Sequence, residues 1–325
     1  MRIVRALKID SVEDYEIVEQ DLPTPAADQV LIKTAACGMG YVDALLASGG
    51  YQVKPTPPFT PGTELAGTIE AVGGDVTNLK IGDRVLAGAF GGALAEYVAL
   101  PQSAVSTIPP SMSFAQAAGF RTNYITALHG LADRAAIMPG ERLLAFGAAG
   151  GVGAAAVQLG ELLGAEVIAA ASTEEKRAFA QKHGAATTID TAEEGWRDRL
   201  KEATKGDGVD VVFDPVCGPL FERAYRSLRW GGRHLVVGFT GGPIPKLPVN
   251  LPLMKGAALV GVDVRQFFIF QPEQAAAHER TLLDWVGSGK LSPPVGKVFP
   301  FEAFAEAMRF ALSGEGLGKT IVEIA

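Results

Sequence analysis

Four glycines, Gly147, Gly150, Gly151 and Gly153, crowd the stretch RLLAFGAAGGVGAAAVQLGELLG. An apolar run of strand type precedes them, and apolar residues at helical spacing follow. A glycine turn of this kind suits a pyrophosphate. The missing side chain at Gly150 lets a phosphate approach the backbone, and Gly153 lets the helix pack close to the strand. The free N–H groups at Gly150, Gly151, Val152 and Gly153 then face the anion at the positive end of the helix. Ala148 replaces the first glycine of the usual GxGxxG pattern, so strand, helix and a second strand about 20 residues on carry the reading. The alternative is a glycine-rich turn that binds nothing.

The end of that second strand, EVIAAA, is where an acid would hold the ribose 2′-hydroxyl of NADH. Ala171 stands there, followed by Ser172, Thr173, Lys176 and Arg177. Hydroxyls and cations suit a 2′-phosphate, and the expected cofactor is NADPH. Ser172 with Glu175 also fits a capping box, which would leave Lys176 as a solvated charge.

The elements that must position these residues fall into two groups. Up to about residue 112 the chain reads as short strands punctuated by Gly and Pro, among them RIVRALKI, QVLIKTAA and ELAGTIEAVG. Strand and helix then alternate through RLLAF, EVIAAA, TTID, VDVVFD, RHLVVGF and AALVGVDV, the mark of a doubly wound parallel sheet. The tail returns to mixed elements and ends on a strand, KTIVEI.

The 325 residues suffice for two cored domains. The net charge of −7, without a basic block, speaks against nucleic acid. Two cysteines build no disulfide framework, and no uncharged apolar run reaches the roughly 18 residues of a membrane span. The start, MRIVRALKIDSVEDYE, carries charges too early for a signal peptide. The expectation is a cytoplasmic protein that engages neither membrane nor nucleic acid.

With these residues in view, the chain resembles the zinc-free quinone oxidoreductases of the medium-chain dehydrogenase/reductase superfamily. The resemblance rests on GGYQVKPTPPFTPGTELAGTIEAVGGDVTNLKIGDRV, the glycine-loop segment, GVDVVFDPVCG and WGGRHLVVGF, in the family's order and spacing. It implies a GroES-like β-rich catalytic domain from residues 1–118 and 266–325, and a Rossmann domain from 119–265. It also implies a homodimer joined along AALVGVDV. The implied reaction is hydride transfer from NADPH to a quinone or another conjugated carbonyl. Alternatives are an enoyl-thioester reductase and an NADPH-binding protein with little catalysis.

In zinc-dependent members of the superfamily the metal is held by a cysteine, the histidine of a GHE element and a third ligand. Here Cys37 matches the cysteine, but Thr63 stands for the histidine and Ala118 for the third ligand. One residue cannot hold zinc, so no metal is expected and Cys37 reads as a buried apolar residue. Glu64, beside Thr63, reads as a structural hydrogen-bond acceptor.

Hydride addition to a conjugated carbonyl pushes charge onto its oxygen, which then needs a donor. Tyr51 matches the catalytic tyrosine of related enoyl-thioester reductases, or else is only an aromatic wall. Asp43 matches the aspartate of the family's NxxD element, with Gly40 in place of the usual Asn and Tyr41 as the neighbouring aromatic. Asp43 equally suits a helix N-cap. Thr122 matches a cofactor-contacting threonine. Phe239 and Thr240, in GFTGG, match the segment beside the nicotinamide carboxamide. Arg121 could meet an anionic substrate or be a surface charge, and Phe59 could line the substrate wall or the core. Lys319 matches a family lysine without an assigned role.

Overall fold

The computed structural model describes residues 1–192 and 194–324. The chain divides into two compact units, Met1–Thr122 with Leu283–Ala325, and Asn123–Leu282.

In the first unit, alternating apolar residues build a largely antiparallel sheet around one core, with one parallel pair, Val295–Pro300 beside Lys319–Glu323. Its central strand, Gln29–Met39, pairs with Glu64–Val72 on one side and Lys319–Glu323 on the other. Arg84–Gly88 and Val105–Thr107 extend one flank, Val295–Pro300 closes the other, and Tyr97–Pro101 pairs back onto the central strand. The register sets Glu64 opposite Gly38 and Thr320 opposite Met39. Three segments from the two ends of the chain therefore meet where Gln29–Met39 runs out and the helix Tyr41–Ala47 begins.

The second unit holds a six-stranded sheet in which every pairing is parallel. Its spatial order is Thr187–Asp190, Glu166–Ala171, Arg142–Phe146, Val209–Asp214, Leu228–Val236, Ala258–Gly261. Numbered along the chain this is 3-2-1-4-5-6, the doubly wound order that sites a dinucleotide beyond the carboxyl ends of its strands. The central strand Val209–Asp214 is wholly buried, as a sheet covered on both faces requires.

Residues 266–282, read from the sequence as part of the catalytic domain, group with this second unit. The reason is packing. Phe267, in the helix Val264–Phe270, stacks on His129 with ring centroids 3.9 Å apart, and His278 reaches Asp133 at 2.7 Å.

Candidate active site

The glycine loop follows the first strand of the parallel sheet. Gly147 turns the chain with φ of 59°, a conformation that favours glycine, and its carbonyl accepts from Gly150 N–H at 2.9 Å. Gly150 then caps the helix Gly151–Leu162 without any side-chain bond, leaving the first N–H groups of a 12-residue helix available. A Cβ on Gly153 would lie 2.1 Å from Gly147 O, so no larger residue fits there. A Cβ on Gly150 would meet only Gly147 O, at 3.5 Å. The backbone is thus open on the side a phosphate would approach and closed where helix and strand touch. That cradle fits a pyrophosphate.

The second strand ends at a buried Ala171. The helix after it starts one residue later than Ser172 and Glu175 suggest. Its N-cap is Thr173, which accepts from Lys176 N–H at 3.2 Å, so Ser172 stays exposed beside the strand end. Arg177 is anchored rather than loose: it donates to Ala171 O at 3.1 Å and pairs with Asp190 at 3.2 Å. Asp190, at the end of the third strand, therefore offsets part of the positive field the sequence suggested. Phe239 is 43% exposed, and Thr240 donates from both N–H and Oγ1 to Pro215 O.

In the antiparallel unit, Asp43 sits in the first turn of Tyr41–Ala47 as its third residue, not its cap. Both oxygens of its carboxylate accept hydrogen bonds. Oδ2 accepts from Gly40 N–H at 2.7 Å, and Oδ1 accepts from Thr63 N–H at 2.9 Å and Thr63 Oγ1 at 2.7 Å. The residue that replaces a metal-binding histidine thus spends its hydroxyl on this aspartate.

Next to it lies a buried ion pair that the sequence did not reveal. Lys319 donates to Glu64 Oε1 at 2.6 Å, and Glu64 Oε2 accepts from Thr122 N–H at 3.1 Å. Glu64 and Lys319 are 1% and 8% exposed. Burial disfavours the ammonium, but Glu64 and then Asp43 outweigh it and hold the Lys319 pKa above its ordinary value. A Cβ on Gly40 would lie 3.0 Å from Lys319 Nζ and 3.2 Å from Asp43 Oδ2. The lysine tip thus crowds the space that an asparagine side chain would enter. The only local signal was the pairing of residue types, a carboxylate and a lysine in apolar strands 255 residues apart.

Cys37 is wholly buried in the barrel core, its Sγ 3.9 Å from Met39 Sδ. Burial pushes its thiol well up from the ordinary value. A Cβ on Gly62 would lie 2.7 Å from that sulfur, so the core has closed around it.

The remaining candidates differ. Tyr51 and Tyr41 are half-buried. The Arg121 guanidinium lies against Gly88, where a Cβ would come within 2.3 Å of Nη1. Phe59 is 8% exposed and packs in the core of its unit, bridged to Ala6 by two backbone hydrogen bonds, which favours the core reading over a substrate wall.

With loop and network in place, the chain can be compared with known proteins. Residues 26–110 match the alcohol dehydrogenase GroES-like domain, and residues 151–282 match the zinc-binding dehydrogenase model. A quinone oxidoreductase-like protein 2 homolog from Nematostella vectensis is 36% identical over 323 residues, covering 98% of this chain and 88% of that one. This chain belongs to the quinone oxidoreductase family of the medium-chain dehydrogenase/reductase superfamily. A structure of Escherichia coli quinone oxidoreductase complexed with NADPH is 28% identical with a TM-score of 0.91, covering all of both chains. The CurK enoyl reductase structure is also 28% identical, with a TM-score of 0.90 over 100% of this chain and 99% of that one. The family is one of oxidoreductases, in keeping with the GroES-like and Rossmann-type units described above.

Proposed function

We propose that this family member is a zinc-independent, NADPH-dependent reductase that delivers hydride to quinones or other conjugated carbonyls. The observation that carries the reading is the open glycine cradle at an uncapped helix N-terminus, beyond the first strand of a 3-2-1-4-5-6 sheet. NADPH, when bound, supplies the hydride. Gly151 and Val152 hold the pyrophosphate through backbone N–H groups, Gly150 leaves the space for it to approach, and Gly153 keeps the helix close to the strand. Ser172, Lys176 and Arg177 take the 2′-phosphate, with Asp190 restraining Arg177. Phe239 and Thr240 bound the nicotinamide end.

The charge that builds on the acceptor oxygen takes a hydrogen bond from the Tyr51 phenol. Both Asp43 oxygens accept hydrogen bonds from Gly40 and Thr63, which suits a positioning part. Its role is to hold the Gly40–Tyr41 turn, so that Tyr41 keeps its place at the substrate. Arg121 favours an anionic substituent on the acceptor. Zinc independence is supported by the residue types at the ligand positions: a threonine bonded to Asp43 and a cysteine enclosed in the core.

Ala258–Gly261 is the edge of the parallel sheet, with Leu259 45% exposed. An unpaired edge of this kind supports a homodimer joined strand to strand. Light scattering on the purified chain tests it, and a monomer at micromolar concentration refutes it.

Turnover is tested by following NADPH oxidation with a quinone, a small enone and an enoyl-CoA, with NADH as control. Absence of turnover with all three, alongside tight NADPH binding, would leave a binding protein. The enoyl-thioester reading is favoured specifically by Tyr51 and by the likeness to an enoyl reductase structure. Tyr51→Phe slows enoyl reduction on the order of 10²-fold and quinone reduction far less, since positioned proton donors contribute about that much. Equal rates in the variant would reduce Tyr51 to a wall.

A further inference from the structure

Away from the glycine loop, two histidines and an aspartate of the Asn123–Leu282 unit point at one another. The helix Arg121–Leu128 runs on into a π-helical turn, His129–Arg134, a geometry often found at functional sites. Within that turn His129 Nδ1 lies 2.7 Å from Asp133 Oδ2. From the helix Pro272–Gly287, His278 Nε2 lies 2.7 Å from the same oxygen. The three ligand atoms all fall within 4.8 Å of one another.

The surroundings hold this arrangement in place. His129 is 7% exposed and stacks on Phe267, with ring planes 14° apart. The Phe267 ring also lies 5.6 Å from that of His278. The nearest cation in sequence, Arg134, is turned away and donates to Gly261 O at 3.0 Å. The Asp133 and His278 side chains keep 22% and 16% of their surface, so an ion has a way in. Among the described residues no other group of three such ligands converges in this way.

We propose that His129, Asp133 and His278 form a zinc-type divalent metal site, separate from the cofactor loop. Two imidazole nitrogens and one carboxylate oxygen are a usual three-ligand set for Zn²⁺, with water in the fourth position. Bonds of about 2.0–2.1 Å set tetrahedral ligand atoms about 3.3 Å apart. The two contacts of 2.7 Å open by about half an ångström on binding, and the two nitrogens, within 4.8 Å of each other, close to the same spacing. Both histidines bind as neutral rings, each through the nitrogen that now faces Asp133. The ion ties segments 145 residues apart, so its effect is to clamp the C-terminal helix of the unit onto the π-helical turn.

The test uses the untagged full chain, stripped with a chelator and titrated with Zn²⁺ by calorimetry. Co²⁺ absorption reports tetrahedral coordination. The wild type takes up one Zn²⁺ with a micromolar or tighter Kd, gains thermal stability on binding, and gives an intense Co²⁺ d–d band. His278→Ala weakens uptake at least 100-fold and removes the band, while its circular dichroism and NADPH turnover stay as in the wild type. Asp133→Asn, which keeps a hydrogen-bond acceptor but loses the charge, weakens uptake at least tenfold. A stripped wild type that takes up no Zn²⁺ at 100 µM overturns the proposal and leaves a hydrogen-bonded cluster only. So does uptake that His278→Ala leaves unchanged, which places the ion elsewhere. Neither outcome bears on the reductase reading, whose test is turnover.

Discussion

The glycine loop and the Asp43–Glu64–Lys319 network are built by opposite means. The loop is local. Seven consecutive residues, Gly147 to Gly153, supply the turn, the opening and the close approach, and each depends on backbone that the same stretch provides. The network is distributed. Its charges come from a helix near residue 43, a strand at 64 and the last strand at 319, and they meet only because three strands pair in register. A local site can be read from a pattern. A distributed one must be assembled before its residues mean anything, and it stakes more stability on each member because its charges are buried.

The sharpest way to break that comparison is to remove one buried charge. Lys319→Met leaves Glu64 in the core without its cation, and should cost about 3–5 kcal/mol in denaturant unfolding. Lys319→Met with Glu64→Gln should recover most of it. Single variants that cost no more than surface changes would mean the network contributes nothing distinctive. The Lys319 pKa is raised, so the pair stabilises the fold below the lysine's ordinary value and that contribution fades at more alkaline pH.

A smaller effect is expected in the loop. Gly153→Val places side-chain atoms against Gly147 O and should weaken NADPH binding at least tenfold, read by nucleotide fluorescence. Its stability cost should be about 1–3 kcal/mol, as for overpacking. A variant that binds normally would show the helix can shift, and the loop would not be the rigid cradle described.

Lys176→Glu separates recognition of the 2′-phosphate from that of the pyrophosphate. NADPH affinity should fall about tenfold, or 1.4 kcal/mol, with NADH affinity nearly unchanged. Equal losses would remove the role given to Lys176.

The smallest effect serves as a reference outside both sites. Arg233 grips Glu141 through two hydrogen bonds of 2.6 and 2.7 Å and lowers its pKa. A lowered carboxylate pKa stabilises the fold above the unfolded value, near 4.5, and that contribution is lost as pH falls through the folded value. Arg233→Gln should therefore lower the melting temperature by a few degrees at neutral pH, with the gap closing as pH falls below the ordinary carboxylate value. A gap independent of pH would assign the loss to packing instead.

Much of the fold was legible because its signals are local. The strand runs RLLAF, EVIAAA, TTID and VDVVFD coincide with strands Arg142–Phe146, Glu166–Ala171, Thr187–Asp190 and Val209–Asp214. Apolar runs bounded by glycine leave few alternatives. The helix EEKRAFAQK begins at Glu174, with Thr173 and not Ser172 as its cap; the two hydroxyls are chemically equal caps and only backbone geometry chooses between them. Phe59 and Phe239 look alike in sequence, yet one lies in the barrel core and the other stands exposed. Burial depends on which strands meet, and a single phenylalanine carries no record of that.

The sequence by itself determined the glycine turn between strand and helix, the alternation of a parallel sheet, and the absence of a histidine at position 63. Each of these rests on patterns that are local along the chain. Only the tertiary structure decided that Lys319 neutralises Glu64, that Gly40 leaves room beside an ammonium, and that His278 comes to Asp133. Each of those contacts joins residues far apart in the chain, and no local propensity encodes a partner that strand register and helix packing must first bring near.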